Sequence, residues 1–416
     1  MAMKRALVLL AAICAASLIW AAGSALARPS CTQMKSWLHQ GGGGASGLLV
    51  VDGESGAVQC ASAVGKQRSL ASNMKLFTTA TALSRLGTEY RIPTKLFGDG
   101  RLTADGIFHG SLYLQGGGDP ALGTPAFYNG YLGGLGTNIY SLAPQIRAAG
   151  IKSITGRLYA DDSIFDRLRG VADSGYATSP EIGPLSGLDF NSGFAAENSY
   201  RGFSSDPAKL AASKLAARLR ATGVAVPAQV ALAVTPPNAE RIAMISSPTL
   251  TRIVNTTDVY SDNHFAEMLI KLIGAKLGSG GTTAAGAAVV SAFARSHNSG
   301  VHAVDGSGLT RSNRATPRAI VNLLMAMRED PAGDEFIQDM ALAGREGTVD
   351  DRMRGTSAYG RCRVKTGTLT GVSNLSGYCF NASGRVMVFS VLMNGVRDLG
   401  LAHLDQDRIA GMVASY

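Results

Sequence analysis

The stretch that decides the interpretation of this chain is Ser72-Asn73-Met74-Lys75. Two further short motifs follow it, Ser261-Asp262-Asn263 and Lys365-Thr366-Gly367. A Ser-x-x-Lys string alone occurs by chance in many chains of this length, and an ordinary solvated helix start then explains it better. Together, the three motifs supply a hydroxyl nucleophile, two lysines and a second serine. This combination indicates acyl transfer through a serine.

The first motif lies at the start of a helix predicted over Ser72–Leu86, whose apolar residues recur at helical spacing. Ser72 and Lys75 are three residues apart and therefore lie on the same face, about one turn apart. The helix N-terminus favours an anion that develops at Ser72. Lys75 can take the serine proton if burial and a second cation lower its pKa, and Lys365 is the natural second cation.

The second motif opens another predicted helix. By itself it is best explained as a helix cap, since Ser, Asp and Asn all cap well. Beside the other two motifs, we expect Ser261 to relay a proton to the leaving amine. We expect Asn263 to donate a hydrogen bond to the substrate amide.

The third motif lies late in a predicted strand. Lys365 and Thr366 can hold a carboxylate by charge and by hydroxyl, and Gly367 permits a substrate backbone to approach closely. The N–H groups of Thr368 and Ser72 can form an oxyanion hole, and losing one such donor typically costs roughly a hundredfold or more in rate.

Five predicted strands lie near the two ends of the chain. They are Gly47–Val51, Ala57–Ala61, Arg361–Thr368, Val372–Phe380 and Val386–Met393. Strands from both ends that share one sheet require the middle of the chain to be inserted. We therefore predict a catalytic domain from residues 28–92 and 240–416, and a mostly β accessory insertion over residues 93–239.

The N-terminus has the layout of a secretory signal peptide over residues 1–27. Lys4 and Arg5 precede the apolar run Ala6–Ala22, and Ala25-Leu26-Ala27 offers small residues for cleavage. An uncleaved membrane anchor is the alternative, although the run only just reaches spanning length. We expect an exported protein, in the periplasm or on the outer cell surface.

The cysteines also suit an exported protein. Of the five cysteines, Cys14 lies in the signal segment, which leaves an even number for disulfides. Cys362 and Cys379 would face each other across a hairpin, and Cys31 and Cys60 are the pair that remains. No Cys-x-x-Cys or His-Glu-x-x-His string occurs, so we predict no metal site.

The charge does not single out a partner. The formal net charge of +9 falls to about +7 when Lys4 and Arg5 leave with the signal segment. The basic residues are scattered, without the aromatic-spaced patch of a nucleic-acid surface, so no nucleic-acid partner is expected.

On these motifs the chain resembles the D-alanyl-D-alanine carboxypeptidase/endopeptidases among the class C low-molecular-mass penicillin-binding proteins. Supporting strings are Gly116-Gly117-Gly118-Asp119-Pro120, Asp305-Gly306-Ser307-Gly308-Leu309 and Gly344-Arg345-Glu346-Gly347-Thr348. The resemblance covers nearly the whole mature chain. It implies an α/β (α+β) fold with a five-stranded antiparallel sheet between helices, and a large inserted accessory region.

The resemblance also implies the chemistry. Ser72 would be the acylated nucleophile and Lys75 the general base, while Thr366 and Thr368 would hold the substrate carboxylate and the oxyanion. The substrate would be a peptidoglycan stem peptide, and β-lactam antibiotics would be covalent inhibitors. The reaction would be carboxypeptidase action, with endopeptidase action as a further option, and no cofactor would be needed.

Two other functions compete with this one. A β-lactamase of class A needs an extra glutamate to activate the deacylating water. Glu181 and Glu197 lie between the first two motifs, but both are better explained as solvated surface carboxylates. A catalytically idle wall-binding protein should lack a catalytic residue, and none is missing here. Each of the histidines His264, His302 and His403 is best explained as an ordinary surface or core residue.

Overall fold

The computed structural model describes residues 30–197 and 202–416. The predicted signal peptide over residues 1–27 lies outside the described residues. Within the described ranges, no helix has both the length and the apolar character that crossing a membrane requires.

Helices and strands are numbered here in chain order. The described α-helices are α1 (Cys31–Gly42), α2 (Met74–Leu86), α3 (Pro125–Tyr131), α4 (Leu142–Ala148), α5 (Pro207–Ala221), α6 (Leu250–Val259), α7 (Asn263–Leu277), α8 (Thr283–Ser296), α9 (Pro317–Glu329), α10 (Gly333–Gln338) and α11 (Leu399–Val413). The described strands are β1 (Gly47–Asp52), β2 (Val58–Ser62), β3 (Arg68–Ser69), β4 (Pro93–Leu102), β5 (Ile107–Gln115), β6 (Leu122–Gly123), β7 (Thr137–Asn138), β8 (Ser153–Ile154), β9 (Leu158–Asp161), β10 (Val230–Leu232), β11 (Glu240–Ser246), β12 (Val301–His302), β13 (Arg314–Ala315), β14 (Ala341–Leu342), β15 (Cys362–Leu369), β16 (Val372–Phe380) and β17 (Val386–Asn394).

The main sheet is antiparallel, in the order β14-β15-β16-β17-β1-β2. Five of its strands are those predicted from the sequence. The sixth, β14, is two residues long and pairs only with Arg363 and Val364 on the outer edge of β15. It carries too short a pattern to be recognised in the sequence. The first strand pairs with the last one, with Gly47 opposite Leu392.

Helices cover both faces of this sheet. In β1, Leu48 and Val50 join one buried cluster with residues of α1 and α11. Leu49 and Val51 join the other cluster with residues of α2, α7 and α9. The alternation follows from the period of two along a strand, which sends successive side chains to opposite faces.

A second sheet has the order β10-β9-β5-β4-β11, and β8 also pairs with β5. Helices α4 and α5 pack on it through buried leucine, isoleucine and alanine side chains. Helix α5 begins with Asp206 as N-cap and Pro207 in the first turn. The predicted limits of the accessory domain, residues 93–239, remain a prediction.

Two disulfides join neighbouring elements. Cys31–Cys60 links α1 to β2, and Cys362–Cys379 links β15 to β16. These are the pairs expected from the sequence. Disulfides persist in oxidising compartments outside the cytoplasm, which fits an extracytoplasmic protein.

Candidate active site

Ser72 lies two residues before the helix that it was predicted to begin. The predicted helix over Ser72–Leu86 begins at Met74, and Ser72 belongs to a 3-10 turn, Ala71–Asn73, that leads into it. Lys75 Nζ lies 3.1 Å from Ser72 Oγ. The pairing of Ser72 and Lys75 across one turn, expected from their spacing, is therefore present in the structure.

Lys75 is completely buried and bonds only to neutral oxygens. Besides Ser72, its ammonium donates to Asn263 Oδ1 at 2.7 Å and to the Ser307 carbonyl at 2.9 Å. No carboxylate of the described residues lies within ion-pair distance of it. Burial lowers the pKa of Lys75 to about 8, although more distant carboxylates oppose the change. A lysine in this state can lose its proton near neutral pH and act as a base.

The second lysine is bound in a similar way. Lys365 is fully buried, and its Nζ donates to Ser261 Oγ at 2.9 Å and to the Thr366 carbonyl at 3.2 Å. Burial and the neighbouring Lys75 lower its pKa to about 7. Ser261 therefore has a donor that orients its hydroxyl, as a proton relay requires.

Asp262 and Asn263 have different roles, helix capping and contact with Lys75, which the sequence alone did not separate. Asp262 is the N-cap of α7, because its Oδ1 accepts from the Phe265 N–H at 2.9 Å. Asn263 uses Oδ1 for Lys75, while its Nδ2 donates to the Glu181 carbonyl at 3.3 Å. Ser261 has φ of 58°, in the left-handed region that non-glycine residues rarely adopt. Such strain is typical of functional sites.

Two glycines hold the Ser72 turn. A Cβ on Gly367 would lie 2.8 Å from the Leu70 carbonyl and 3.1 Å from the Ser72 nitrogen. A Cβ on Gly308, which has φ of 90°, would lie 1.8 Å from the Ala71 carbonyl. The close approach at Gly367 is thus made by the backbone that carries the nucleophile, a role that the sequence interpretation did not include.

Asn73 and Asn374 fix this turn to the sheet. Asn73 Nδ2 donates to the Lys365 carbonyl at 3.0 Å, and Asn73 Oδ1 accepts from Ser376 Oγ at 2.7 Å. Asn374 Nδ2 donates to the Leu70 carbonyl at 2.7 Å. Sequence reasoning missed both asparagines, because their partners are about three hundred positions away.

Three buried carboxyl groups surround the lysines at a greater distance. Burial raises the pKa of Asp258 to about 6, that of Glu267 to about 8, and that of Asp305 as well. Glu267 Oε1 accepts from the N–H groups of Gly306 and Ser307, and so it positions the Ser307 carbonyl on Lys75. Glu267 lies four residues after Asn263, a spacing from which its position on the same helix face could have been predicted.

His264 is a buried residue with a partner of its own. Its Nε2 lies 2.9 Å from Asp189 Oδ2, and its Nδ1 lies 2.8 Å from the Ile182 carbonyl. Burial lowers the pKa of His264, but the carboxylate of Asp189 outweighs it and the pKa rises to about 9. The expectation of an ordinary surface or core histidine is met in the sense that His264 contacts no motif hydroxyl. It does tie the segment around Ile182 to the start of α7.

The remaining predicted residues lie along β15. Thr366 Oγ1 donates to Thr348 Oγ1 at 2.9 Å, and the side chain of Thr368 is exposed. Strand β14 pairs with β15 only at Arg363 and Val364. The outer edge of β15 from Thr366 onward therefore pairs with no described strand. The eight predicted site residues therefore lie in three regions of the chain: the 3-10 turn with the start of α2, the segment that leads into α7, and β15.

The comparison with known protein families matches residues 32–186 and 195–415 to a single family model. The chain belongs to the D-Ala-D-Ala carboxypeptidase 3 (S13) family. It is therefore a D-Ala-D-Ala carboxypeptidase, a peptidase and thus a hydrolase.

Relatives and solved structures agree with this membership. The chain is 30% identical to a D-alanyl-D-alanine carboxypeptidase of Actinomadura sp. (strain R39), over 90% of this chain and 82% of that protein. A crystal structure of penicillin binding protein 4 from Haemophilus influenzae matches with a TM-score of 0.75 at 20% identity, covering 93% and 100% of the two chains. A peptidoglycan endopeptidase from Bdellovibrio bacteriovorus matches with a TM-score of 0.56 at 19% identity, covering 87% and 90%. The two structural matches confirm the predicted fold class.

Proposed function

We propose that this chain cleaves the terminal D-Ala-D-Ala bond of peptidoglycan stem peptides through an acyl-enzyme at Ser72. One observation carries the proposal: a fully buried Lys75 whose ammonium reaches Ser72 Oγ and otherwise only neutral acceptors. A lysine paired with a carboxylate would stay charged and could not accept the serine proton. Here burial lowers the pKa of Lys75 and so raises the share of the neutral amine that the reaction needs.

Acylation begins when neutral Lys75 takes the proton of Ser72 Oγ. The oxygen attacks the carbonyl carbon of the scissile amide, and the developing oxyanion accepts hydrogen bonds from the N–H groups of Ser72 and Thr368. The tetrahedral intermediate expels the amine, which receives a proton from Ser261 Oγ. Lys365, bonded to Ser261, resupplies that hydroxyl through its own ammonium.

Deacylation repeats these roles with water in place of the amine. Water attacks the ester carbonyl of acylated Ser72 and gives a proton to Ser261, which passes one to neutral Lys365. Lys75 returns its proton to Ser72 Oγ as the ester bond breaks, and the shortened peptide leaves as an acid that ionises to a new carboxylate. Two glutamates of the described chain are unsuited to speed this step in the manner of a class A β-lactamase. Glu267 is fully buried and bonded to the Gly306 and Ser307 amides, and Glu197 forms an ion pair with Lys214.

The substrate can bind along the open edge of β15. From Thr366 onward this edge is unpaired among the described strands, so an extended peptide can add to it by backbone hydrogen bonds. The hydroxyls of Thr366 and Thr368 and the ammonium of Lys365 would then hold the terminal carboxylate. Asn263 has a second Nδ2 hydrogen for the substrate amide.

Inhibition by penicillin and a place of action in the cell envelope are both expected from this chemistry. A β-lactam ring presents an amide carbonyl that Ser72 would open into a stable ester, and a related endopeptidase from Bdellovibrio bacteriovorus has been solved in a penicillin G-acylated state. We therefore propose covalent inhibition by β-lactams. The place of action would be the periplasm or the outer cell surface, where peptidoglycan lies.

The proposal is tested with Ser72→Ala and with Ser383→Ala, a matched change in an exposed turn far from the motifs. Ser72→Ala should lose both labelling by fluorescent penicillin and D-Ala release from a pentapeptide muropeptide, while the control keeps both. Penicillin labelling that survives in Ser72→Ala would refute the nucleophile assignment.

A further inference from the structure

The second sheet has two faces of different composition. Leu112, Leu114 and Leu158 point to the face on which α4 and α5 pack. Successive side chains of a strand alternate between the faces, so Tyr113 and Tyr159 point to the opposite one. This opposite face is here called the tyrosine face. None of the three catalytic motifs lies in a strand of this sheet.

Three aromatic residues form a row across the tyrosine face. In the register of β4, β5 and β9, Phe97 is opposite Tyr113, and Tyr113 is opposite Tyr159. The two tyrosine rings stack, with centroids 5.0 Å apart and planes inclined by 20°. Tyr113 in the middle is 9% exposed, whereas Phe97 and Tyr159 are half-buried. Because neighbouring strands lie about 4.8 Å apart, the two outer residues are separated by roughly 10 Å.

A depression of about 500 Å³ borders the row at Tyr159. Ser111, Arg157 and Gln229 are among the residues that line it. Ser111 lies two residues before Tyr113 and therefore on the same face. In addition, no hydrogen bond with another described residue occupies the hydroxyl of Tyr113 or Tyr159. Aromatic rings thus lie beside hydroxyl, amide and guanidinium groups that a ligand can reach.

Unpaired cations lie around the aromatic row: Lys95, Arg157 and Arg241. None of the three forms an ion pair with a carboxylate of the described residues. Two carboxylates share the face, but that of Asp161 is already bonded to the N–H and the hydroxyl of Thr235. Asp99 is the other. The charge around the row is therefore positive, which favours an anionic ligand.

These properties together select an acidic polysaccharide. A sugar ring has an apolar face of C–H groups, which can lie on an aromatic ring, and an edge of hydroxyl groups, which bind polar side chains. The separation of the outer aromatic residues is comparable to the length of one disaccharide. A protein partner would instead favour a wider apolar area, without so many free cations in its centre.

We propose that the tyrosine face binds the glycan strand of peptidoglycan, a chain of β-linked amino sugars that carries carboxyl groups. Phe97 and Tyr159 would contact sugar rings, and Arg157 and Arg241 would contact carboxylates. The choice of peptidoglycan rests on the proposed function. The face itself involves no covalent step and lies outside the catalytic motifs, so it holds the enzyme on the wall without changing the chemistry at Ser72.

The experiment measures co-sedimentation of the purified protein with insoluble peptidoglycan, in the Ser72→Ala background so that the wall is not digested. Tyr159→Ala should weaken binding roughly threefold to tenfold, because one aromatic contact is lost. Tyr159→Phe keeps the ring and should stay within about twofold of the parent protein. Arg157→Glu, at an exposed position, should also weaken binding and reduce its dependence on salt.

Two controls separate this effect from damage to the protein. Arg295→Gln removes an exposed arginine of α8, outside the second sheet, and should leave sedimentation unchanged. With Ser72 restored, Tyr159→Ala and Arg157→Glu should release D-Ala from a soluble pentapeptide within about twofold of the wild-type rate. Thermal unfolding checks that both variants are folded.

Glycan strands freed of their stem peptides by an amidase should compete with the insoluble wall for the protein. Failure to compete would overturn the proposal, because the ligand would then be the peptide. Unchanged sedimentation of both Tyr159→Ala and Arg157→Glu would overturn it as well, and so would equally strong competition by single-stranded DNA. Wild-type protein that penicillin does not acylate would instead refute the proposed function, while the sedimentation result would still decide whether the tyrosine face binds glycan.

Discussion

The sharpest prediction concerns the pH dependence of the rate at which Ser72 is acylated, because this rate depends on the protonation of Lys75. With a pKa of about 8, about a tenth of Lys75 is neutral at pH 7. With its ordinary pKa of 10.5, only about 0.03% would be neutral. Burial thus supplies a gain of roughly 300-fold in the active base, equivalent to about 3 kcal/mol.

The assay is the second-order rate constant of acylation by a fluorescent penicillin, measured by stopped flow between about pH 5.5 and 9.5. The rate should rise about tenfold per pH unit at low pH, reach half of its maximum near pH 8 and level off above about pH 9, where Lys75 is mostly neutral. Because Lys365 titrates close by with a pKa of about 7, the midpoint belongs to the lysine pair and not to one residue alone.

Lys75→Arg provides the comparison, since arginine keeps the charge and cannot lose its proton. Its acylation rate should fall by roughly a hundredfold to ten-thousandfold, and the rise with pH should disappear. Circular dichroism and thermal unfolding check that the fold is intact. A wild-type rate that is flat between pH 6 and 8, or a Lys75→Arg rate close to wild type, would refute the reasoning.

Three further changes test the surroundings of the site. In Asp258→Asn the loss of a charge that raises the pKa of both buried lysines should move the rise in acylation rate to lower pH, and an unmoved profile would contradict this. Gly367→Ala should push the Ser72 turn away from β15 and destabilise the protein by about 1–3 kcal/mol, with slower acylation at every pH, whereas normal kinetics would count against the close approach. Replacing Cys362 and Cys379 together by serine should lower the free energy of unfolding by about 3 kcal/mol, given their separation of 17 residues, as measured by urea unfolding; an unchanged midpoint would show that the strand pairing alone suffices.

The features that could be predicted are those that short stretches of the sequence encode. The β15–β16–β17 meander follows from runs of β-branched and apolar residues with turns between them, and its observed bounds differ from the predicted ones by at most one residue at either end. The pairs Asp206-Pro207 and Thr316-Pro317, each an N-cap followed by a proline, likewise mark the starts of α5 and α9. These features depend on neighbours along the chain, which a single sequence displays.

The unpredicted features depend on contacts between distant segments. Nothing in the sequence near Asp258 reveals that its carboxyl group is buried close to two lysines from other elements. Likewise, the partner of His264 is Asp189, from a segment without a recognisable helix or strand pattern. The backbone of the 3-10 turn at Ser72 lies so close to Gly308 and Gly367 that a Cβ atom at either glycine would clash with it. Tertiary packing therefore set the details that local propensity could not.

The pairing of β1 with β17 has a consequence for the order of assembly. Strand β1 is synthesised long before its partner β17, so the main sheet stays incomplete until β17 has been made. Lys365, on the neighbouring meander, arrives equally late. A nascent polypeptide that has not reached Lys365 lacks one of the two lysines of the site, and hydrolytic competence is withheld until β15 has been made. For a peptidase, such a delay keeps incomplete copies inert.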